Sequence, residues 1–233
     1  MNDWESYWKN VEETGPNGQV FWDKPDAQDS LDDLHRILKY LRPDLPLIDM
    51  GCGNGVRTRF LAQHFKKVLG LDISSSAIQL ARMVSENQGF SETNIEFRVF
   101  DALDTENARN LYSEIGDTNI YMRGVLFAIK RRDRPIFIES LKILLGKKGI
   151  LYQIEIPSSS ILYLRTLPDH VITQIPKITR RIGFNFEERE KHYPDEEWIV
   201  LDQGQNIILN TLRFAQGKED AMPANYLILR RRL

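Results

Sequence analysis

The chain has 233 residues, of which 42% are hydrophobic and 27% are charged, and its 31 basic and 33 acidic residues leave a net charge of −2. This composition is typical of one large α/β domain, and the balanced charge excludes the basic surface expected of a nucleic-acid-binding protein. No segment approaches the ~18 apolar residues of a membrane-spanning helix, and the N-terminus does not have the pattern of a signal peptide. With one cysteine, Cys52, and four histidines that show no metal-ligand spacing, we expect a cytoplasmic protein without a disulfide or a metal site.

In chain order, residues 1–44 begin with an aromatic-rich piece and continue into a predicted amphipathic helix, Leu31–Leu41. Strand and helix patterns then alternate. The predicted strands are Leu45–Met50, Val68–Asp72, Ile95–Phe100, Asn119–Leu126 and Ile150–Ile156. The helices predicted between them lie near Gly55–Phe65, after a Ser74–Ser76 cap, near Thr105–Ile115 and near Arg134–Leu145. Strands separated by helices predict a parallel, doubly wound sheet.

Residues 158–195 interrupt this alternation with a proline-punctuated insertion. After it, Trp198–Leu201 and Ile207–Leu212 flank Asp202-Gln203-Gly204, a segment that predicts a hairpin turn. A last strand is predicted at Tyr226–Leu229. Because antiparallel strands often complete a parallel sheet, we expect the sheet to be mixed.

The most informative segment is the end of the first predicted strand, which runs directly into Gly51, Gly53 and Gly55. The next predicted strand ends in Asp72. Glycines allow the backbone to come close to a ligand, and a carboxylate at the neighbouring strand end can accept both hydroxyls of a ribose. The combination predicts a nucleoside site at the edge of a parallel sheet.

The glycine spacing argues against a dinucleotide. The dinucleotide fingerprint requires Gly or Ala at the position where this chain has Val56. Asp49 also disfavours two phosphates on charge grounds, and suits a cofactor that carries an ammonium and a sulfonium. A nicotinamide-dependent oxidoreductase is therefore the less favoured alternative.

The segment Asp49-Met50-Gly51-Cys52-Gly53-Asn54-Gly55 resembles the first motif of the class I S-adenosylmethionine-dependent methyltransferases, an apolar strand followed by acidic-x-Gly-x-Gly-x-Gly. The resemblance runs from about Leu45 to Pro157. It implies a Rossmann-like fold in one domain, 1–233, with a mostly parallel, doubly wound, seven-stranded sheet. It also implies S-adenosylmethionine as the cofactor and direct SN2 transfer of its methyl group.

The resemblance assigns site residues by motif. It implies that the amino-acid end of the cofactor lies at Asp49, Gly51, Cys52, Gly53 and Gly55, and the ribose at Asp72 and Ile73. Asp101 and Ala102 correspond to the segment near the adenine, and the backbone of Arg123 corresponds to a contact with the ammonium. Other interpretations stay open: Asp49 bonding its own loop, Asp72 and Asp101 as turn residues, and Arg123 as an ion-pair partner.

The catalytic and substrate residues are less defined. His170 and Glu155 are the candidates for a general base, and non-catalytic roles are open for both. In the family, an N-terminal segment and an insertion after the fifth strand form a lid, which implies a lid at 1–44 and a cap at 158–195. Among their side chains, Trp8, Trp22 and Tyr163 are the candidates for contacting a planar or apolar acceptor. The tryptophans could instead only attach the N-terminal segment to the sheet.

The predicted partner is a small-molecule methyl acceptor. DNA enzymes that methylate amino groups carry an acidic or Asn residue with Pro-Pro-aromatic after the fourth strand, where this chain has Met122-Arg123-Gly124-Val125. Near-neutral charge agrees with the expectation of no nucleic-acid partner. A non-catalytic protein that binds S-adenosylmethionine is the alternative of another class. The methyl acceptor and the oligomeric state are not predicted.

Overall fold

The fold is described from a computed structural model, which describes residues 3–12, 14, 20, 22, 28–90, 94–160, 184–214 and 218–233. The predicted residues Tyr163 and His170 lie outside these described residues. Within the described ranges, no helix is long and apolar enough to cross a membrane.

Seven strands form one sheet in the order β3-β2-β1-β4-β5-β7-β6. The strands are β1 (Leu47–Met50), β2 (Val68–Asp72), β3 (Ile95–Val99), β4 (Asn119–Arg123), β5 (Ile150–Glu155), β6 (Trp198–Phe214) and β7 (Lys218–Arg231). Strands β1 to β5 pair in parallel, and β7 pairs antiparallel with both β5 and β6. The prediction of a mostly parallel, seven-stranded, doubly wound sheet is therefore confirmed.

Helices cover both faces of the sheet, as the apolar character of its central strands requires. The α-helices of the described residues are α1 (Asp3–Trp8), α2 (Gln28–Tyr40), α3 (Val56–Leu61), α4 (Ser75–Asn87), α5 (Thr105–Ile115), α6 (Arg134–Leu145) and α7 (Arg189–His192). Buried side chains of α2, α3 and α4 share one core with Leu47 of β1, and those of α5 and α6 share the other core with Ile48 and Met50 of the same strand.

The helix that follows β2 begins where the sequence predicts. The Ser74 hydroxyl accepts a hydrogen bond from Ala77 N at 3.1 Å, which satisfies one of the free N–H groups of the first turn of α4. This cap places the start of α4 directly after Asp72. The carboxyl end of β2 is thereby held next to a helix N-terminus.

The predicted hairpin turn at Asp202-Gln203-Gly204 is wrong. Strand β6 runs continuously through these residues, with register irregularities between Val200 and Asp202 and between Gly204 and Ile207. A Cβ on Gly204 would lie 2.3 Å from Cε1 of Tyr226, so glycine is required here by the close approach of a ring rather than by a turn. A glycine inside a strand commonly marks such a bulge.

Strand β4 is also shorter than the predicted Asn119–Leu126. It ends at Arg123, and Gly124 turns the chain with a φ of 65°. Residues Leu126–Ala128 then form a short 3-10 helix. This turn brings the chain across the carboxyl edge of the sheet.

Candidate active site

A cavity of about 250 Å³ opens at the carboxyl ends of the parallel strands, which is where ligands bind in open α/β sheets. Loops after β1, β2, β3 and β4 form its walls, and side chains of the N-terminal segment form one side. The predicted residues that line it are Trp8, Trp22, Asp49, Gly51, Cys52, Gly53, Asp72, Ile73, Asp101, Ala102 and Arg123. The structure thus brings most of the predicted site together.

The floor of the cavity is the loop after β1. Gly51 and Gly53 have φ angles of 74° and 55°, a region that glycine adopts without strain. A Cβ on Gly51 would lie 2.7 Å from Cγ2 of Val125, and one on Gly53 would lie 2.6 Å from Cζ2 of Trp8. Side chains at these positions would therefore clash with Val125 and Trp8, so glycine lets both residues pack directly against the loop.

Gly55 differs from the other two glycines because it does not line the cavity. Its φ of 77° starts helix α3, and a Cβ there would lie 2.6 Å from Cε1 of Phe97 and 3.1 Å from Cβ of Ala81. The prediction that groups Gly55 with the cofactor contacts is not supported by this position. Glycine is required here because α3 packs closely against β3 and α4.

Asp72 lies in the cavity wall and organises the loops on either side of it. Its Oδ2 accepts a hydrogen bond from Gly53 N at 2.9 Å, and its Oδ1 accepts one from Ser74 N at 2.9 Å. The residue is 8% exposed, and burial raises the pKa of its carboxyl group. Each carboxylate oxygen can accept more than one hydrogen bond, so these contacts leave capacity for the hydroxyls of a ribose.

Asp49 is the second buried carboxylate of the cavity. It accepts a hydrogen bond from the Thr58 hydroxyl at 2.6 Å, and burial raises its pKa to about 6. Arg57, which also lines the cavity, opposes this rise in pKa. A bound ammonium group would favour the charged carboxylate in the same way, because an opposite charge stabilises the ionised form.

The residues after β2 and β3 form the next part of the wall. Asp101 accepts a hydrogen bond from Leu103 N at 2.8 Å, so it is a turn residue as well as a lining residue. Ile73 is 39% exposed and leaves an apolar surface beside Asp72. This surface and Ala102 suit the face of a planar base.

Cys52 is a buried lining residue and not a reactive thiol. Burial raises its pKa well above the usual value, so it carries a neutral thiol at physiological pH. Its Sγ lies 3.6 Å from Gly53 O. Its small side chain packs beneath the loop without filling the cavity.

Arg123 lies at the end of β4 and reaches a buried carboxylate on helix α2. Its Nη1 is 3.3 Å from Oδ2 of Asp33, and the two side chains are 12% and 4% exposed. Asp33 also accepts hydrogen bonds from the hydroxyls of Tyr121, at 3.0 Å, and Tyr152, at 2.8 Å. Arg123 is therefore both an ion-pair partner and a lining residue of the cavity.

The structure does not support Glu155 as a general base. Its carboxylate accepts hydrogen bonds from the backbone N–H groups of Val125, Leu126 and Phe127 at 3.3, 2.8 and 2.9 Å. It is 1% exposed and does not line the cavity, and burial raises its pKa to about 7. Glu155 instead fixes the turn after β4 that carries one wall of the cavity.

An aromatic cluster of the N-terminal segment closes another side. Trp4, Trp8 and Trp22 line the cavity, and Tyr7 packs among them with ring-centroid distances of 5.2–5.9 Å. The indole of Trp8 is 4% exposed and lies over Gly53. This position places Trp8 next to the glycine loop, so it attaches the segment and also shapes the cavity.

The sequence did not single out several lining residues. Arg57 follows the glycine loop by two positions and Tyr121 precedes Arg123 by two on the same strand, which are the local signals that could have found them. The remaining unpredicted lining residues include Asn54, Phe100, Phe127, Ile129, Phe137, Ile156 and Met222. Most of these are apolar residues whose place depends on the folded chain.

The cavity fits the expected cofactor. The backbone of Gly51 and Gly53 lines its floor, and Asp49 and Asp72 are buried in the same cavity. A nucleoside with hydroxyl donors and an ammonium group matches this donor and acceptor set.

The comparisons with known proteins agree with this site. The chain matches a family described as "Methyltransferase domain" over residues 41–190, more than half of its length. A crystal structure of an S-adenosylmethionine-dependent methyltransferase from Anabaena variabilis is 32% identical, with a TM-score of 0.81, and the match covers 100% of this chain and 96% of that one. Magnesium protoporphyrin IX methyltransferase from Synechocystis is 16% identical with a TM-score of 0.62, and the match covers 98% of this chain and 94% of that one. At this identity the match shows the shared fold alone.

Curated relatives match over shorter segments. The Homo sapiens protein named EEF1A lysine methyltransferase 2 is 28% identical over 150 residues, which are 59% of this chain and 57% of that protein. Its Mus musculus counterpart is 26% identical over 98 residues, which are 40% of this chain and 37% of that protein. The matches thus span about half of these relatives or less. The family match and the full-length structural relative show that the chain belongs to the class I S-adenosylmethionine-dependent methyltransferases.

Proposed function

We propose that this protein transfers the methyl group of S-adenosylmethionine to a small-molecule acceptor bound beside the cofactor. The observation that carries this proposal is the largely apolar wall next to the cofactor loops, built from Trp22, Phe127, Ile129, Phe137 and Met222. Apolar cavities with few polar groups are typical small-molecule sites. A planar or apolar acceptor matches such a lining.

Residues of the carboxyl edge would hold the cofactor. Asp72 would accept hydrogen bonds from the ribose hydroxyls, and Asp49 would face the ammonium group. Ile73, Asp101 and Ala102 would contact the adenine. The bound cofactor supplies a methyl group that its sulfonium already activates for attack by a nucleophile.

The chain itself contributes position and exclusion of water. Correct alignment of two reactants can supply several kcal/mol of a barrier without a covalent catalyst. The side of the cavity formed by Trp4, Trp8 and Trp22 separates the glycine loop from solvent. The turn held by Glu155 forms another wall. Among the described residues, no histidine lines this cavity, and the candidate base His170 lies outside them.

We also propose that residues 1–44 form a lid and residues 158–195 a cap within one methyltransferase domain. Helix α1 and the tryptophans of the N-terminal segment already line the cavity, which supports the first assignment. Phe184 and Tyr193, from the described end of the insertion, are buried in the core beside α6. Tyr163 stays a proposed substrate contact.

A protein lysine is the second candidate acceptor, because the two curated relatives described above are named as EEF1A lysine methyltransferases. The experiment is a methyl-transfer screen with labelled S-adenosylmethionine against amines, phenols, carboxylates and thiols, with intact EEF1A protein in a parallel arm. We expect turnover of a small molecule. Labelling of EEF1A alone would overturn the small-molecule proposal, and no turnover in any arm would favour the non-catalytic alternative.

The oxidoreductase alternative is disfavoured by the sheet itself. Dinucleotide-binding sheets have the strand order 3-2-1-4-5-6, whereas here an antiparallel β7 is inserted between β5 and β6. Val56 also lines the cavity, at the position where the dinucleotide fingerprint requires a small residue.

A further inference from the structure

Strands β6 and β7 continue past the carboxyl end of the neighbouring strand β5. The pairing of β7 with β5 ends where Asn225 lies opposite Glu155, whereas its pairing with β6 continues to Lys218. Because β7 is antiparallel to β5, these further residues project past the carboxyl end of β5, at the edge of the sheet where the cavity opens. We call residues 207–214 and 218–224 the hairpin arm.

The base of the hairpin arm is held by the body of the protein. A two-stranded ribbon alone is only marginally stable in water, so it needs contacts of this kind. The Ser160 hydroxyl donates a hydrogen bond to Pro223 O at 2.9 Å. Met222 and Ala224 are 3% and 0% exposed and belong to the same buried core as Ile154 of β5. The Met222 side chain therefore has a defined place past the end of β5.

Met222 brings the hairpin arm into the cavity. Among the arm residues whose side chains the structure describes, it is the one that lines the cavity. Ile156, which directly follows the last β5 residue paired with β7, lines the cavity as well. A Cβ on Gly124 would lie 3.2 Å from Cε1 of Phe127 and 4.0 Å from Cδ1 of Ile156, so these two side chains lie close together. Met222 and the turn after β4 therefore form the same part of the cavity wall.

The lining of the cavity is divided by charge. Its described charged residues all precede this part of the wall in the chain, and they are Asp49, Arg57, Asp72, Asp101 and Arg123. From Val125 onwards, every described lining residue is apolar. Burial of a charged group without a partner is strongly unfavourable, so this part of the cavity favours an uncharged molecule.

We propose that Met222 determines the size of an uncharged, apolar methyl acceptor that binds in this part of the cavity. The inference rests on the proposed function and deepens it. A methionine side chain is unbranched and polarisable, so it fills irregular space beside apolar and aromatic groups. Its replacement by a smaller or a larger side chain changes the space that is left for a ligand. Met222 moves no proton, and its role is to limit which acceptors fit.

The test uses phenol and 2-naphthol, two probes that are uncharged at pH 7 and differ by one fused ring. Each is titrated by calorimetry into protein saturated with S-adenosylhomocysteine. Met222→Ala should raise the affinity for 2-naphthol relative to phenol about tenfold, and Met222→Trp should lower it about tenfold, because one methylene in an apolar pocket changes discrimination by about 10–200-fold. The wild-type protein should bind 2-naphthoate, which carries a charge, at least about tenfold more weakly than 2-naphthol.

Met83→Ala is the matched control and should leave the ratio of the two affinities unchanged. Met83 is a 51% exposed methionine on α4 that does not line the cavity. Binding of S-adenosylhomocysteine by each variant reports that its site is folded, and either folded Met222 variant is enough to decide.

Two results would overturn the inference while the proposed function stands: a wild-type ratio in the folded Met222 variants, or 2-naphthoate binding as tight as that of 2-naphthol. A different result reaches further. If the wild-type protein binds S-adenosylhomocysteine but neither uncharged probe, the proposed small-molecule acceptor fails and the inference fails with it.

Discussion

Asp72 has a structural and a ligand-binding role in the same carboxylate. It orders the glycine loop through Gly53 N and the start of α4 through Ser74 N, and it lines the cavity. A substitution here affects the shape of the site as well as a direct contact. The two roles can be separated experimentally, because the ligand-binding role depends on ligand and the structural role does not.

We predict that Asp72→Ala weakens binding of S-adenosylhomocysteine by roughly 1–3 kcal/mol, the range for lost hydrogen bonds to a charged group. Calorimetric titration measures this change. Asp44→Ala is the control, because Asp44 is 58% exposed and pairs with Arg42. Unchanged affinity in Asp72→Ala would remove this residue from the site.

His192 is a half-buried group whose charge state depends on the fold. Its Nε2 is 3.3 Å from Nη1 of Arg134, and a guanidinium can only donate, so this nitrogen must accept and the imidazole is neutral. Burial and the charge of Arg134 lower the pKa of His192 from 6.5 to about 4. Between these pH values the unfolded chain binds a proton that the folded chain does not.

Acidification from pH 6.5 to 4 is therefore predicted to lower the free energy of unfolding through His192. Urea titrations of the wild type and of His192→Gln across this range measure the effect. Gln can accept the Arg134 hydrogen bond without titrating, so the wild type should lose stability relative to the variant as the pH falls. The raised pKa values of Asp49 and Glu155 act in the opposite direction in both proteins, so the difference isolates His192. Parallel curves would contradict the prediction.

For single residues, the sequence predicted those whose role can be recognised from neighbouring positions in the chain. Asp49, Gly51 and Gly53 lie within one five-residue segment, and Asp72 ends the next strand, so a motif could identify them. Asp33 was not found, because its partners Tyr121 and Tyr152 are 88 and 119 residues away in the chain. Nothing near Asp33 in the sequence indicates that its carboxylate is buried against two strands.

Helix α1 is attached to the cofactor loops by one carboxylate. Glu5 accepts hydrogen bonds from the hydroxyls of Ser74 and Ser76, both at 2.7 Å, and from Ser76 N at 3.3 Å. The hydrogen bond from Ser74 is the largest cause that lowers the pKa of Glu5 to about 2. The positive end of α4 favours the same charge. The contact holds the tryptophan-bearing segment over the glycine loop.

Glu5→Gln is predicted to release S-adenosylhomocysteine several-fold faster, because a neutral amide binds the serine hydroxyls and the helix end less strongly. Stopped-flow tryptophan fluorescence measures the rate, since Trp4, Trp8 and Trp22 line the cavity. Exposed charge contacts contribute only about 0–1 kcal/mol, so the melting temperature should change little. Glu86→Gln, at the far end of α4, is the control. Equal release rates in the three proteins would show that α1 does not act as a lid.

Among the strands, helices and turns, the sequence also predicted those that depend on nearby residues and missed those that depend on distant ones. The alternation of apolar runs and capped helices predicted β1 to β5 and the helices between them, because each depends on its own residues. The turn at Asp202–Gly204 was wrong because Gly204 serves the ring of Tyr226, which belongs to the neighbouring strand. A glycine between two apolar runs has the same appearance in a turn and in a bulge.

For the whole molecule, ligand binding and stability are linked. S-adenosylhomocysteine at about 100 times its dissociation constant is predicted to add about 2.7 kcal/mol to the free energy of unfolding. For a chain of this length, the melting temperature should rise by roughly 5–11 °C. Differential scanning fluorimetry measures the shift, with NAD at the same concentration as the control. A rise with NAD and none with S-adenosylhomocysteine would contradict the cofactor assignment.

The position of β7 has a consequence for synthesis of the protein. Strand β6 leaves the ribosome before β7, yet it pairs with the rest of the sheet only through β7, which lies between β6 and β5. A nascent chain that ends before Lys218 can pair β1 to β5 but leaves β6 unattached. The five parallel strands and their helices can assemble while translation continues. The two antiparallel strands join the sheet only when the fourteen-residue β7 has emerged.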